Sequence, residues 1–259
     1  MRQRLRDVVP TSLRVKVIHG INRASGNHLS RSLYGKVTYN QDGMATTHNA
    51  DFMTEPRFAA AYAAGKATGS WTFGDLTWRA YIICWAAERG AALEGDFVEC
   101  GVNRGGYALT VIKYVKFESL SKRFFLLDTY EGLLDRYSSP EEQANGVRNG
   151  EYEPCYDAVV RTFSPYSSVN IIQGAVPETL PQVNAEKIAF LSLDMNTRDP
   201  EIAAAECFWD RLVSGAAIVL DDYGWRKHLE QKNAFDDFAR TRGVQVLALP
   251  TGQGLILKP

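Results

Sequence analysis

The spacing of hydrophobic and polar residues changes near position 96. Before it, residues 51–85 carry apolar positions at helical spacing, interrupted around residues 69–74, which predicts two helical pieces, the second over residues 76–87. After it, short apolar runs alternate with longer amphipathic stretches, the pattern of strands separated by helices. The chain is therefore predicted to be an α/β protein with a mostly parallel sheet in residues 71–259, preceded by a basic, helical N-terminal segment in residues 1–70.

Seven short apolar runs are predicted to be the strands of this sheet: residues 97–101, 123–127, 169–173, 188–193, 216–220, 244–249 and 254–257. Helices are predicted at 107–115, 156–163 and 227–241. A further helix is predicted to open at Asp199 and Pro200, which suit the N-cap and the first helical position. Residues 131–154 are long, polar and rich in Gly and Glu, so this connection is expected to be a mobile lid.

The first strand runs directly into a glycine-rich turn, GDFVECGVNRGG at residues 95–106. Gly101, Gly105 and Gly106 allow tight turns and close approach to a ligand, and a strand, such a turn and a helix form the first crossover unit of a doubly wound sheet. The turn matches neither G-x-G-x-x-G nor the phosphate loop G-x-x-x-x-G-K-[ST]. A nucleoside without pyrophosphate, such as S-adenosylmethionine, fits this turn better. The alternative is a tight turn that binds no ligand.

Acidic residues stand at the ends of four predicted strands: Glu99, Asp128, Asp194, Asp221 and Asp222. Burying unpaired carboxylates is costly, and the carboxyl ends of parallel strands share one edge of a sheet. We therefore expect ligands or a cation to compensate these charges. Glu99 and Asp128 lie where a nucleoside would bind, with Asp128 placed to accept hydrogen bonds from the ribose hydroxyls.

Asp194, Asp221 and Asp222 form a second group of acids, on the fourth and fifth strands. Three carboxylates can bind a hard divalent cation, with substrate oxygens and water completing its coordination. The alternative is that Asp221 or Asp222 caps the following helix while Asp194 pairs with an arginine such as Arg198.

Composition and charge narrow the function classes. The 259 residues carry a formal net charge of -1, which gives no general electrostatic reason to bind nucleic acid. The four cysteines form no C-x-x-C pair, and Cys100 and Cys207 are expected to be buried; together with the absence of a membrane span or signal peptide, this predicts a cytoplasmic protein. Residues 1–36 carry eight Lys or Arg against one acid, which suits contact with an anionic substrate, a membrane surface or a neighbouring subunit, or a solvated lead-in.

Five motifs, in this order, resemble a known family: GDFVECGVNRGG, LLDTYEGL, GAVPETLP, LSLDMN and VLDDYGW. They are similar to motifs of the macrocin/mycinamicin/novobiocin-type O-methyltransferases, the TylF family, and the resemblance runs from about residue 71 to the end. It implies the class I methyltransferase fold, a Rossmann-like seven-stranded sheet with helices on both faces. It also implies methyl transfer from S-adenosylmethionine to a sugar hydroxyl, aided by Mg²⁺. The expected partner is a small-molecule or glycan acceptor, and the oligomeric state is left open, with a homo-oligomer as one option.

The resemblance also assigns roles to individual residues. The methionine end of the cofactor would be lined by Glu99, Gly101, Asn103 and Gly105. The ribose would be held by Asp128 with Thr129. The adenine would be flanked by Gly174, Ala175 and Val176. The metal ligands would be Asp194, Asp221 and Asp222.

The chain departs from the family at one catalytic position. Members often read D-x-D where this chain has Asp194-Met195-Asn196, and Asn196 cannot accept a proton at neutral pH. Either Mg²⁺ acidifies the acceptor hydroxyl for another base or another residue serves, with His228 and Asp199 as candidates, although a histidine at a helix start is more often simply solvated. The candidate catalytic residues are thus Asp194, Asn196 and His228. Two rival functions stay open: a catechol-type methyltransferase acting on a small aromatic diol, and a catalytically silent S-adenosylmethionine-binding protein.

Overall fold

The computed structural model describes residues 37–72, 74–147 and 152–259. The basic segment 1–36, and with it half of the predicted N-terminal segment, lies outside these residues. The described chain begins with a small antiparallel hairpin, β1 (Tyr39–Gln41) and β2 (Met44–Thr46), followed by helices α1 (Pro56–Ala67) and α2 (Thr77–Ala91). The boundary at residue 70 stays a prediction.

A seven-stranded sheet follows, in the order β5-β4-β3-β6-β7-β9-β8. Its strands are β3 (Asp96–Cys100), β4 (Phe124–Asp128), β5 (Val169–Gln173), β6 (Ile188–Leu193), β7 (Leu212–Leu220), β8 (Leu247–Ala248) and β9 (Gly254–Leu257). The pairs from β5 to β7 are parallel, and β9 is antiparallel to both of its neighbours. The predicted mostly parallel α/β fold is confirmed.

The helices cover both faces of the sheet because successive strand residues point to opposite sides. Phe124 and Leu126 of β4 belong to the core beneath α2 and α3 (Gly106–Val115), on which α1 packs. Phe125 and Leu127 point the other way, into the core beneath α6 (Arg198–Trp209) and α7 (Leu229–Thr241). Two shorter helices, α4 (Pro140–Ala144) and α5 (Tyr156–Phe163), lie in and after the connection from β4 to β5.

The strand order brings the predicted site residues to one edge. The chain builds β3, β4 and β5 outward in one direction and then returns to place β6 on the other side of β3. Cys100 pairs with both Leu127 and Leu193, and Leu193 pairs with Leu220, so the residues after these positions emerge side by side. In doubly wound sheets, this reversal of strand order is where ligands bind, beyond the carboxyl ends of the strands.

Several element boundaries differ from the predicted ones. β7 begins at Leu212, earlier than predicted, because its first residue pairs with Ile188 of β6. β8 contains only two residues, since just Leu247 and Ala248 pair with β9. α6 begins at Arg198 after Thr197, so Asp199 is inside the helix and is not its N-cap.

One cysteine was predicted wrongly. Cys207 is exposed, because it lies on the solvent side of α6, whereas Cys100 is buried as expected. All four cysteines are free thiols. In the described part of the chain, every helix is too short or too polar to cross a membrane.

Candidate active site

The glycine-rich turn after β3 is held by the carboxylate of Asp128 at the end of β4. Oδ2 of Asp128 accepts hydrogen bonds from the backbone N–H groups of Val102 at 2.6 Å and Asn103 at 2.8 Å, and its Oδ1 accepts one from Tyr130 at 2.7 Å. Asp128 thus organises the turn, a role that sequence reasoning did not foresee. Its predicted contact with ribose would have to share these oxygens.

Gly101 is required where the turns after β3 and β6 touch. Its φ is +88°, and a Cβ on this residue would lie 1.9 Å from the carbonyl oxygen of Asp194. Gly105, with φ of +84°, precedes α3, and its Cβ would collide with the ring of Phe163. The two glycines therefore allow the turn after β3 to pack closely against the turn after β6 and against Phe163.

Glu99 is buried in this edge, and no described residue forms an ion pair with it. It is 1 % exposed, and neither of its carboxylate oxygens meets a donor at hydrogen-bonding geometry among the described residues. Burial, reinforced by Asp128 and Asp221, raises the pKa of Glu99 well above its usual value, and the nearby backbone amide of Ala108 offsets this only slightly. Unpaired buried carboxylates are rare in proteins, so this group calls for a cationic or donor-bearing ligand.

The residues predicted to flank an adenine lie next to Asp128. The backbone N–H of Gly174, which follows β5, donates to the carbonyl oxygen of Asp128 at 2.9 Å. Ala175 and Val176 continue from it, and Val176 is buried. Thr129 follows Asp128 directly and donates its hydroxyl to the carbonyl of Gly132 at 2.7 Å. The predicted cofactor-binding residues thus all stand at or directly after the ends of three adjacent strands.

The carboxylates of Asp194, Asp221 and Asp222 gather at the ends of β6 and β7. The N–H of Asp221 donates to the carbonyl of Leu193 at 3.0 Å, so the two chains emerge in register. Asp194 is half-buried, whereas Asp221 and Asp222 are buried. Burial, together with the negative charges of Asp221 and Asp222, raises the pKa of Asp194 well above its ordinary value.

Arg79 joins this cluster from helix α2, and the sequence analysis missed it. Its Nε donates to Oδ2 of Asp42, in the β1–β2 turn, at 2.7 Å, while its Nη1 donates to Oδ2 of Asp221 and lies 3.8 Å from Oδ1 of Asp222. The ring of Trp225 lies 4.9 Å from the guanidinium. One signal was available: Arg79 falls on the apolar face of its helix, where a charged side chain needs a buried partner.

The carboxylates do not fit a three-ligand metal site as they are arranged. Oδ2 of Asp221 is engaged by Arg79, and its Oδ1 accepts a hydrogen bond from Nε2 of Gln253 at 3.0 Å. Among the described residues, no group of three or more His, Cys, Asp or Glu side chains is placed to hold a metal ion. Oδ2 of Asp222 is buried without a hydrogen-bond partner in the described chain. The metal role of these acids stays a prediction.

Asn196 lies beside Asp194 in a turn held by a residue that sequence reasoning also missed. Its φ is +60°, and its Nδ2 donates to Oδ1 of Asp194 at 3.4 Å. Glu201 of α6 accepts the backbone N–H groups of Met195 at 2.8 Å and Asn196 at 3.1 Å. Glu201 is 2 % exposed, and its burial raises its pKa to about 8. Acids in the first turn of a helix are usually exposed, so nothing in the sequence indicated that Glu201 is buried.

The two candidate bases occupy different environments. His228 is fully buried, not solvated, because the 3-10 turn Arg226–His228 directs it inward; its Nε2 lies 3.6 Å from Oδ2 of Asp222. Burial lowers the pKa of His228, although Asp222 opposes the shift. Asp199 is exposed and pairs with Arg198 at 2.7 Å, so Arg198 is engaged there and not by Asp194.

Part of the predicted lid is docked beside the site. Glu142 of α4 is buried; it forms a capping box with Ser139, and its Oε1 accepts the backbone N–H of Arg198 at 2.7 Å. Tyr152, at the other end of the lid, directs its hydroxyl to Oδ1 of Asn196 at 3.5 Å. The described parts of residues 131–154 thus contact the loop that carries Asp194.

Known proteins share both the sequence pattern and the fold. Residues 78–248, well over half of the chain, match the macrocin-O-methyltransferase (TylF) family. A curated relative, the 8-demethyl-8-(2,3-dimethoxy-alpha-L-rhamnosyl)-tetracenomycin-C 4'-O-methyltransferase of Streptomyces olivaceus, is 26% identical over 138 residues, which are 50% of this chain and 53% of the relative. The chain therefore spans about half the length of that relative.

Three solved structures resemble the fold. The O-methyltransferase NovP superposes with a TM-score of 0.61 at 18% identity, over 73% of this chain and 82% of NovP. The calicheamicin methyltransferase CalS11 gives 0.55 at 14% identity, over 82% and 94%. An O-methyltransferase from Bacillus cereus, solved in complex with SAH, gives 0.53 at 12% identity, over 80% and 96%. The sheet order, these shared folds and the family match agree, and the chain belongs to the macrocin-O-methyltransferase (TylF) family of methyltransferases.

Proposed function

We propose that this protein transfers the methyl group of S-adenosylmethionine to a hydroxyl of a sugar, free or attached to a natural product or polysaccharide. The observation that carries the proposal is the buried carboxylate of Glu99, which lies beside the glycine-rich turn with no donor at hydrogen-bonding geometry among the described residues. Family membership supports the reaction, and the relative named for 4'-O-methylation of a rhamnosyl compound supports a sugar acceptor.

The cofactor would be held by the residues at the ends of β3, β4 and β5. Glu99 would accept hydrogen bonds from the ammonium group of the methionine moiety, because a cation offsets the cost of burying this carboxylate. The other proposed contacts are Gly101, Asn103, Gly105, Asp128, Thr129, Gly174, Ala175 and Val176. When bound, S-adenosylmethionine supplies an electrophilic methyl group on a sulfonium.

Asp194 is the proposed proton acceptor. It is the half-buried member of its cluster, while Asp221 and Asp222 are buried, so an acceptor molecule can reach it. Asp194 would take the proton of the acceptor hydroxyl as that oxygen attacks the methyl group, whose bond to sulfur would break with its electron pair left on sulfur. Asn196 would orient Asp194 through its 3.4 Å hydrogen bond and leave proton transfer to the carboxylate.

Three further expectations stay predictions beside this proposal. A role for Mg²⁺ is left out of the steps above, because both oxygens of Asp221 already have partners. His228 is a second candidate base, through its contact with Asp222 at 3.6 Å. The cytoplasmic location rests on the sequence pattern alone.

The test is release of S-adenosylhomocysteine from S-adenosylmethionine by the full chain. The acceptor panel contains rhamnosides and other glycosides, free nucleotide sugars, and a catechol. We expect turnover with a glycoside or a nucleotide sugar, and loss of about a hundredfold or more in kcat for Asp194→Asn with little change in cofactor binding, the range expected for a lost general base. Asp199→Asn is the matched control, because Asp199 is exposed and paired with Arg198.

The same panel separates the rival functions. Turnover restricted to the catechol would replace the sugar acceptor with an aromatic diol. Tight binding of S-adenosylhomocysteine without turnover on any acceptor would support the silent binding protein. Absence of cofactor binding would reject the proposal at its first step.

A further inference from the structure

The cluster at the ends of β6 and β7 already contains a cation. The guanidinium of Arg79 is 6 % exposed and lies among the carboxylates of Asp42, Asp221 and Asp222. Nε and Nη2 hold the two oxygens of Asp42 at 2.7 and 3.3 Å, which is a bidentate pair, and Nη1 faces Asp221. A guanidinium cannot lose its proton in a protein, so this positive charge is permanent.

The partners of Arg79 fix its position from several directions. Asp42 comes from the turn of the β1–β2 hairpin, and Asp221 is held on its other oxygen by Gln253 at 3.0 Å. Gln253 is itself buried and accepts a hydrogen bond from the hydroxyl of Thr251 at 3.0 Å. Trp225 lies over the guanidinium at 4.9 Å. Both oxygens of Asp42 and both oxygens of Asp221 are thus committed within the protein.

A divalent ion between the three aspartates would have to displace this arrangement. Mg²⁺ requires near-ideal octahedral oxygen coordination, and Asp221 has no uncommitted oxygen to offer. A second cation next to Arg79 would also be repelled by it in a poorly solvated site. Asp194, the half-buried member of the cluster, can instead accept a hydrogen bond from a hydroxyl group.

We propose that Arg79 is the resident cation of this site. Its guanidinium occupies the place beside the aspartates where a divalent ion would otherwise bind. Arg79 fixes the buried Asp221 and Asp222, and the acceptor hydroxyl is recognised by a hydrogen bond to Asp194, the half-buried member of the cluster. Arg79 is thus a positioning residue. This inference rests on the proposed function for the acceptor, but its claim about the cation does not.

The first test measures metal binding without donor or acceptor. Mn²⁺ is titrated into the purified full chain and the free ion is followed by electron paramagnetic resonance. The wild type is expected to bind Mn²⁺ no better than its exposed acids do. Arg79→Met, which frees oxygens of Asp42 and Asp221, is expected to bind it at least about tenfold more tightly, as an added carboxylate ligand would allow. Arg89→Met is the control, because Arg89 is exposed on the same helix.

Each result decides the inference. Stoichiometric micromolar binding of Mn²⁺ by the wild type, competed by Mg²⁺, would overturn it, and so would Arg79→Met without a gain in binding. If circular dichroism shows that Arg79→Met does not fold, the wild-type titration decides alone. If the wild type methylates a glycoside, its rate should stay within about twofold in excess chelator. The rate of a metal-assisted reaction would fall far more. A protein without turnover would reject the proposed function and leave the Mn²⁺ result standing.

Discussion

Glu99 is buried beside the glycine-rich turn, with no donor at hydrogen-bonding geometry in the described chain. Burial disfavours the charged form of Glu99 in the ligand-free protein, so a cationic ligand is needed to stabilise that form. Its position directly after an apolar run made it a strong candidate from the sequence. Its isolation from donors could be seen only in three dimensions.

Glu99→Gln is expected to separate binding from stability. The amide cannot offer a negative charge to the ligand ammonium, so affinity for S-adenosylhomocysteine should fall by about 10- to 100-fold, the worth of a charged hydrogen bond. The unfolding temperature without ligand should stay the same or rise, because the amide, unlike the carboxyl group, has no charged form whose burial is costly. Calorimetric titration and thermal unfolding measure the two effects. Glu118→Gln, on an exposed acid, should change neither, and unchanged affinity in Glu99→Gln would remove the proposed ammonium contact.

Glu201 provides a pH-dependent prediction. Burial raises its pKa from 4.5 to about 8 in the folded protein, so between these values the folded state binds more protons than the unfolded state. Stability from this group is therefore complete below its unfolded pKa and is lost as the pH rises through its folded pKa. Glu201→Gln keeps the oxygen that accepts from Met195 and Asn196 but cannot ionise.

The stability difference between Glu201→Gln and the wild type should therefore shift in favour of the variant by more than about 1.4 kcal/mol, the value of one pKa unit, between pH 5 and pH 8.5. Urea unfolding at several pH values measures it. Glu206→Gln, on an exposed acid of the same helix, should show the same slope as the wild type. A parallel slope for Glu201→Gln would mean that Glu201 is ionised in the fold.

At the scale of elements, the turn after β3 depends on a contact with the turn after β6. A Cβ on Gly101 would overlap the carbonyl oxygen of Asp194, and its φ of +88° is unfavourable for other residues. Gly243 has a similar φ of +67° but no atom within 4 Å of its Cβ position. Substituting Gly243 therefore tests backbone strain alone, whereas substituting Gly101 tests backbone strain together with steric overlap.

Gly101→Ala is expected to destabilise the protein by about 2–5 kcal/mol, the sum of a left-handed backbone and a forced displacement of packed atoms. Gly243→Ala should cost only about 1–2 kcal/mol, for the backbone alone. Urea unfolding compares them, and binding of S-adenosylhomocysteine should weaken only in Gly101→Ala. Equal losses in both variants would show that the turns after β3 and β6 are free to move apart.

The elements that the sequence predicts best are those with a clear hydrophobic period. β5, β6, β9 and α5 have their predicted limits, because buried strands and amphipathic helices carry the pattern along their whole length. β8 and the start of α6 were placed less well. β8 is limited by pairing at the sheet edge, and α6 begins where Glu142 meets the N–H of Arg198, a contact with a residue 56 positions away.

At the scale of the whole molecule, the fold and the positions of the strand-end acids followed from the sequence because each depends on local pattern and on strand order. Arg79 could not be placed this way. Its partner Asp221 is 142 positions distant, and nothing in the local sequence indicates which buried acid an isolated arginine meets. The same limit hid the roles of Asp42 and Gln253, which lie outside the family's recognised motifs.

The network around Arg79 also has a consequence for how the protein folds. It joins Asp42, Arg79, Asp221 and Gln253, so it closes only after segments from both ends of the described chain have met. Contacts between positions so far apart form late, because the intervening loops must be ordered first. During refolding, helical signal should therefore recover before the competence to bind an acceptor, and the last event should be the capture of the Arg79 side chain.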